Sequence, residues 1–363
     1  MLLTSRMKDL HHDRHSARRT LGRPCARSAF VMLLLVGGVA IGAASLSLAP
    51  PALTAREARD DGYVWCTVGD PGNPVFRGLE GGPVALLTWR QFAGRGGVSY
   101  DYQISQTEVR VRQYLEFVQV YWPYFEGDPR SFDLTGDFIF AVRQGSGYIY
   151  EIVPGWEDAP ANMSMRLAAR FCNWMHNGNV NEHWAFEQGV YDASTFTQNP
   201  DRTYNDDYTR APGARYWIPS LDEWLKAVYY DPTRHGAGEG GWWRYPNASD
   251  EPLKVGFPQE GGQTNGSLWD WYDGPRLPVG MYPSIQTPWG LLDASGGFAE
   301  VTQDGYGMGS SFFDLGPLHV SLNDLAGNYS QRPSLHPDWV SGSGLRMARM
   351  TRGVRAHGLQ GGQ

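Results

Sequence analysis

Cysteine is scarce in this chain, and the motifs of several common catalytic sites are missing. Three Cys in 363 residues are too few for a disulfide scaffold or a zinc ribbon. The sequence contains no H-E-x-x-H and no G-x-S-x-G, the motifs of a helical zinc site and of a serine nucleophile on a sharp turn. The glycine-rich stretch at residues 236–241 lacks the Lys-Ser/Thr pair of a phosphate-binding loop. The sequence therefore predicts no catalytic residue and no metal-ligand set.

Positive charge is also lacking in most of the chain. The net charge is −7, but residues 1–29 alone carry +5, which leaves −12 for the remainder. A general nucleic-acid binder needs a cationic face that phosphate groups can contact. We therefore expect no nucleic-acid partner.

The composition favours a folded, loop-rich domain. Hydrophobic residues make up 41% of the chain and charged residues 19%, which excludes wholesale disorder. The 45 Gly and 24 Pro disfavour an all-helical bundle or a coiled coil, because both residues interrupt helices. Aromatic residues reach 13%, with 14 Trp, and can fill a core that is short of aliphatic side chains.

Residues 1–55 have the pattern of an export signal. Seven Lys or Arg precede an uncharged segment whose apolar centre runs from residue 30 to residue 44, and small residues follow as far as Ala55. The signal is cleaved after Ala49 or Ala55, or it stays as a single membrane anchor with its basic end inside. Because no second long apolar run follows, both alternatives predict an extracytoplasmic location, and membrane contact only through an uncleaved N-terminus.

The rest of the chain alternates short helical patterns with turns, an α+β arrangement. We expect an irregular segment over 56–99 that forms part of the domain, a domain over 100–349 and a polar tail over 350–363. Apolar periodicity and capping residues predict a strand at 100–104 and helices at 111–121, 164–176 and 221–230. Ser220 and Glu223 form a capping box at the start of the third helix.

Six blocks along the chain resemble conserved blocks of the formylglycine-generating enzyme (sulfatase-modifying factor) domain, and they occur in the order of that family. They are ISQTEV at 104–109, AARFCNW at 168–174, YWIPSLDEW at 216–224, WGLLDASG at 289–296 with Glu300, GS at 309–310 and GLRMA at 344–348. The resemblance implies a loop-rich fold related to C-type lectins, with small antiparallel sheets. VGDPGN at 68–73 and the long stretch at 178–215 are more typical of a bacterial exported subgroup.

The cysteine pair of the family is absent. The resemblance implies copper(I) bound by two cysteines late in the domain, yet no Cys lies between Met308 and Leu345. Carboxylates do not replace soft thiolates on Cu(I), so oxidase chemistry and copper are not expected here. Cys25 falls in the signal, and the two remaining cysteines, Cys66 and Cys172, either form a disulfide after export or stay unlinked, Cys172 on the inner face of a helix.

Other landmark residues each have two interpretations. Glu223 and Trp224 either cap a helix and anchor it in the core, which we favour, or place an acid in a cleft. Calcium could bind Asp293 and Glu300 in the turn that holds it in the family, but Gly297 replaces an Asn ligand there, and we assign no calcium site.

Aromatic residues cluster at 242–245 and again at 269–273. Exposed rings beside carboxylates could stack on a carbohydrate, but core filling is the favoured interpretation.

The leading hypothesis is an exported, non-oxidase member of this superfamily that acts as a binding or structural module for a carbohydrate or protein ligand. The alternatives are a protein-modifying oxidoreductase that uses another site, and a family enzyme whose cysteines come from another chain. The sequence does not name the ligand, the oligomeric state or the biological process.

Overall fold

A computed structural model describes residues 62–78, 92–266, 268, 278–311, 337–338, 340 and 343–351. The chain divides into two units, Met1–Pro51 and Ala52–Gln363, and every described residue belongs to the second. The expected export signal over 1–55 therefore lies outside the described residues. No helix among the described residues is long and apolar enough to cross a membrane.

A four-stranded antiparallel sheet joins the two ends of the described chain. Its order is β1-β2-β11-β5, with β1 at Trp65–Val68, β2 at Tyr102–Ser105, β5 at Tyr216–Trp217 and β11 at Ala348–Met350. Ala348 pairs with Ile104 on one side and with Trp217 on the other. One short strand, β1, lies within the segment 56–99 that the sequence predicts to be irregular; its four residues are too few to display an alternating pattern.

Three smaller sheets complete the strands. The hairpin of β3 (Ile139–Gln144) and β4 (Gly147–Ile152) was not predicted, and β6 (Tyr230–Asp231) pairs with β7 (Gly241–Trp242). The third sheet consists of β8 (Ala299–Val301), β9 (Gly307–Met308) and β10 (Ser343–Gly344), in the order β10-β8-β9. Its β10–β8 pair is parallel.

Five α-helices lie within the described ranges: α1 (Val111–Tyr121), α2 (Phe132–Thr135), α3 (Met165–His176), α4 (His183–Glu187) and α5 (Leu221–Tyr229). Single 3₁₀ turns occur at Trp122–Tyr124, Ala193–Thr195 and Pro258–Glu260. The predictions for α1, α3 and α5 were correct to within one residue at each end. The loop-rich α+β fold with short helices and small sheets is confirmed.

An aromatic core holds α1 against α3. Phe117 of α1 lies 5.5 Å, between ring centroids, from Phe171 and 5.9 Å from Trp174, both on α3. Phe186 of α4 approaches Phe117 to 5.8 Å. Rings at helical spacing thus fill the interior, as expected for a domain rich in aromatic residues.

Candidate functional site

Glu223 is a structural residue, as the capping-box interpretation predicts. Its carboxylate is fully buried and accepts hydrogen bonds from the Ser220 backbone N–H at 2.7 Å and from the Tyr100 hydroxyl at 2.7 Å. The Trp217 indole N–H donates at 3.1 Å, and an Arg210 guanidinium nitrogen lies 2.7 Å away. With these donors on both oxygens, the carboxylate has no capacity left for substrate chemistry.

Trp224 and Glu300 belong to a second buried network. The indole N–H of Trp224 donates to a Glu300 oxygen at 2.6 Å, and Arg346 contacts both Glu300 oxygens, at 2.8 and 2.6 Å. The other N–H groups of Arg346 donate to the backbone carbonyls of Ser105, Gln106 and Leu292. A bidentate pair whose remaining donors are also satisfied is the form in which a buried ion pair is tolerated. Trp224 therefore anchors the core, as favoured from the sequence.

The turn at Gly297 holds a carboxylate from another part of the chain. A Cβ atom on Gly297 would overlap one Glu108 oxygen, and a Cβ on Gly344 would overlap the other. One Glu108 oxygen accepts the Phe298 N–H at 3.1 Å, and the other is buried without a partner. Burial and the neighbouring Glu300 raise the pKa of Glu108 well above its usual value.

The calcium ligands considered from the sequence are engaged elsewhere. Asp293 accepts the Gly280 backbone N–H, and burial raises its pKa to about 6, while Glu300 is bound to Arg346. Across the described ranges, no three His, Cys, Asp or Glu side chains come together in a way that could hold a metal ion.

Cys66 and Cys172 are not joined by a disulfide. Both are buried, and burial raises the pKa of the Cys172 thiol well above its usual value. A protonated thiol in the core behaves as a small apolar side chain and is a poor nucleophile.

The aromatic cluster at 242–245 does not form an open sugar platform. Trp242 is buried 5.3 Å from Tyr230 and 5.7 Å from Phe76, and Tyr245 is also buried. The Arg234 guanidinium covers Trp243 at 4.4 Å from the ring. Core filling explains this cluster, whereas the one at 269–273 lies outside the described residues.

A cavity of about 440 Å³ opens between α1 and α3. It is bounded by residues 62–64, the first turns of α1, the end of α3 with the turn that follows, and residues 215–216. Its charged side chains are Arg110, Arg112, Arg215 and Glu116, and we refer to it as the arginine cleft. The volume lies in the range typical of small-molecule sites.

Arginine charge exceeds carboxylate charge around this cleft. Arg110 and Arg112 share the single carboxylate of Asp158, with Arg110 at 3.7 Å. Arg215 is exposed, donates from its side chain to the His176 carbonyl at 3.1 Å, and has no carboxylate partner within the described part of the chain. The nearby guanidinium also lowers the pKa of His176, after the larger effect of burial.

The inner wall of the arginine cleft is apolar. Phe171, Trp174 and Met175 line it from α3, and Trp174 is only 4% exposed. The Trp174 indole N–H has no hydrogen-bond partner, but it is buried out of reach of solvent and so is not a donor that the cleft offers.

The sequence did not identify the arginine cleft. The two arginines at 110 and 112 flank the first residue of α1, which could have been noticed, but Arg215 is about a hundred positions away. Only the fold brings Arg215 and Trp174 to the same cavity.

Solved structures resemble this chain in fold. One is the crystal structure of CarF, at 19% identity and a TM-score of 0.40, which covers 79% of this chain and 98% of CarF. Another is PvdO from Pseudomonas aeruginosa, at 15% identity and a TM-score of 0.34, which covers 70% of this chain and 82% of PvdO. Both have the formylglycine-generating-enzyme-like fold, the family whose sequence blocks this chain resembles. No protein-family model matches the chain, and no curated protein matches it.

Proposed function

We propose that this chain is a non-oxidase protein of the formylglycine-generating-enzyme-like fold, and that it binds a ligand in the arginine cleft outside the cytoplasm. The observation that carries this proposal is the cleft itself, a cavity of about 440 Å³ with surplus arginine charge and an apolar inner wall. The acidic residues that first suggested a site, Glu223 and Glu300, are occupied by structural partners.

The cysteines support a role other than copper oxidation. Copper(I) is held by pairs of thiolates, and this chain has no Cys between Met308 and Leu345. Cys66 and Cys172 are buried side chains of a strand and a helix, and neither lines the arginine cleft.

The N-terminal pattern supports export. A basic stretch, an uncharged apolar run and a small-residue exit follow one another in residues 1–55. A soluble domain placed beyond the membrane by such a signal would meet its ligand there.

An activity assay separates this proposal from the oxidoreductase alternative. The purified chain is incubated with copper, oxygen and a peptide that carries the cysteine-containing sulfatase motif, and the peptide is analysed by mass spectrometry. We expect the peptide mass to be unchanged. Formation of the aldehyde would overturn the proposal of a non-oxidase protein.

A blocking variant tests the binding site. Glu116 is exposed and lines the arginine cleft, so Glu116→Trp should fill part of the cavity without disturbing the core. A small-molecule library of anionic, neutral and cationic compounds is screened by ligand-observed NMR against the wild-type chain, Glu116→Trp, and Glu151→Trp as an exposed control on β4. We expect compounds that bind the wild-type chain and Glu151→Trp but not Glu116→Trp. Compounds whose binding Glu116→Trp does not affect would refute binding in the cleft.

A further inference from the structure

We propose that the arginine cleft recognises a small organic anion, with a carboxylate or phosphate group held by Arg215 and the neighbouring arginines and an apolar body held against α3. This inference rests on the proposed function and adds the chemical class of the ligand. A carboxylate is planar and a phosphate is tetrahedral, but each presents two oxygen atoms that a guanidinium group can bind with two parallel hydrogen bonds.

The charges around the cleft favour an anion. Three guanidinium groups face only two carboxylates there, those of Glu116 and Asp158, which leaves one positive charge in excess. Glu116 makes no ion pair within the described part of the chain. Asp158 is half-exposed and lies between Arg110 and Arg112. A single carboxylate does not use all the N–H groups of two guanidinium groups, so each arginine keeps N–H groups for a ligand.

Arg215 is the best-placed anchor. A guanidinium carries five N–H groups, and Arg215 donates one of its own to the His176 carbonyl at 3.1 Å. The same residue's backbone N–H donates to the His176 ring at 3.0 Å, which holds the start of β5 against the end of α3. Arg215 is therefore held at its backbone and through one guanidinium nitrogen, while the residue as a whole is exposed.

The Trp174 indole belongs to the apolar wall of the cleft. Its N–H is buried out of reach of solvent, so we assign it no ligand atom. Phe171 and Met175 lie beside it on the same wall, so the part of the ligand next to the anionic group should be apolar. The chain outside residues 1–29 carries a net charge of −12. The excess of arginine around the cleft is therefore local and does not reflect a generally basic surface.

The experiment compares probes of one shape and different charge. Phenylacetate, phenyl phosphate, 2-phenylethanol and phenethylamine are titrated into the full chain by isothermal calorimetry, with inorganic phosphate as the anion without an apolar body. We expect phenylacetate or phenyl phosphate to bind at least tenfold more tightly than the alcohol, the amine and inorganic phosphate. The two anions differ in the linking atom, the headgroup and the headgroup charge, so their order states which of the two charged ends the cleft prefers. Raising the salt concentration should weaken both anions, because salt screens exposed charges.

Two substitutions locate the binding. Arg215→Gln should weaken the favoured anion at least tenfold, while Arg143→Gln, at an exposed arginine of β3 outside the cleft, should leave it unchanged. The comparison of probes on the wild-type chain decides the inference even where a variant fails to fold.

The possible results separate the two proposals. An alcohol that binds as tightly as the anions and is lost in Glu116→Trp would leave the proposed function intact and overturn the anion inference. Anion binding that survives both Arg215→Gln and Glu116→Trp would place the anion elsewhere and overturn the inference. Absence of binding by any probe or library compound would overturn the proposed function as well.

Discussion

At the scale of single residues, glycine decides where a buried carboxylate can lie. Glu108 is enclosed between Gly297 and Gly344, and a side chain at either position would overlap its oxygens. Gly297 was considered from the sequence only as a missing calcium ligand, whereas in the fold its lack of a side chain leaves the room that a Glu108 oxygen occupies.

The contact between Glu108 and Gly297 predicts a double-mutant result. Gly297→Ala should lower the free energy of unfolding by about 1–3 kcal/mol more than Gly305→Ala, because it adds overlap with Glu108. Gly305 is the matched control, since it also has a positive φ, 80° against 67°, but no atom lies near its missing Cβ. Urea unfolding measures each variant.

Glu108→Ala provides the second arm of this cycle. This variant lacks the carboxyl group that a Cβ on residue 297 would overlap. Adding Gly297→Ala to Glu108→Ala should therefore lower the free energy of unfolding by no more than Gly305→Ala does in the wild-type chain. Equal costs of Gly297→Ala with and without Glu108 would contradict the proposed contact.

At the scale of elements, local capping signals identified the helices that organise the core. Ser220 is the N-cap residue of α5. Its hydroxyl accepts a hydrogen bond from the Glu223 backbone N–H at 3.2 Å, and its own backbone N–H donates to the Glu223 carboxylate at 2.7 Å. These two reciprocal hydrogen bonds join residues only three positions apart, so the motif can be recognised in the sequence. The hairpin of β3 and β4 was missed because its strands are only partly buried, and the contact of β4 with α1 joins distant segments that no local signal connects.

Loss of the capping hydroxyl should destabilise α5. Ser220→Ala is expected to lower the free energy of unfolding by about 1 kcal/mol, because a backbone N–H of the first turn loses its acceptor. Ser131 begins α2 and makes no capping bond through its side chain, so Ser131→Ala is the control and should cost less. Thermal or urea unfolding of both variants gives the comparison, and equal losses would show that the Ser220 bond contributes nothing.

At the scale of the whole molecule, charge and hydropathy divide the chain into a basic, apolar N-terminus and an acidic body. Residues 1–29 carry +5 and the remainder −12. This asymmetry is a linear property of the sequence and does not depend on the fold. The location that it predicts remains a proposal, and it is testable independently of the arginine cleft.

Export should fail when the apolar run is interrupted. Leu34→Arg places a charge in that run and should cost roughly 2.5–3.5 kcal/mol of membrane insertion, which blocks export. Leu10→Arg, within the basic stretch, is the control and should be exported normally. Cell fractionation followed by N-terminal sequencing measures both.

Sequencing of the wild-type chain also distinguishes the two forms of export. A new N-terminus near Ala49 or Ala55 would indicate cleavage, and an intact chain in the membrane fraction would indicate an anchor. Full-length wild-type chain in the soluble cytoplasm would contradict both.

The sequence by itself determined the fold class, three of the helices, the capping box and the absence of the late cysteine pair. These features depend on residue type, on spacing within one turn or one helix, or on order along the chain. They are therefore present before the chain folds.

Only the tertiary structure decided which polar residues are available for a ligand. In the sequence Glu223 looks like a candidate acid and Glu300 like a candidate calcium ligand, yet Arg210 and Arg346 form ion pairs with them in the fold. Arg215 and Trp174 carry no shared motif, yet both line one cavity because β5 packs beside the end of α3. Hydrogen bonding and burial depend on contacts between distant segments, and a linear pattern does not encode those contacts at the resolution of single side chains.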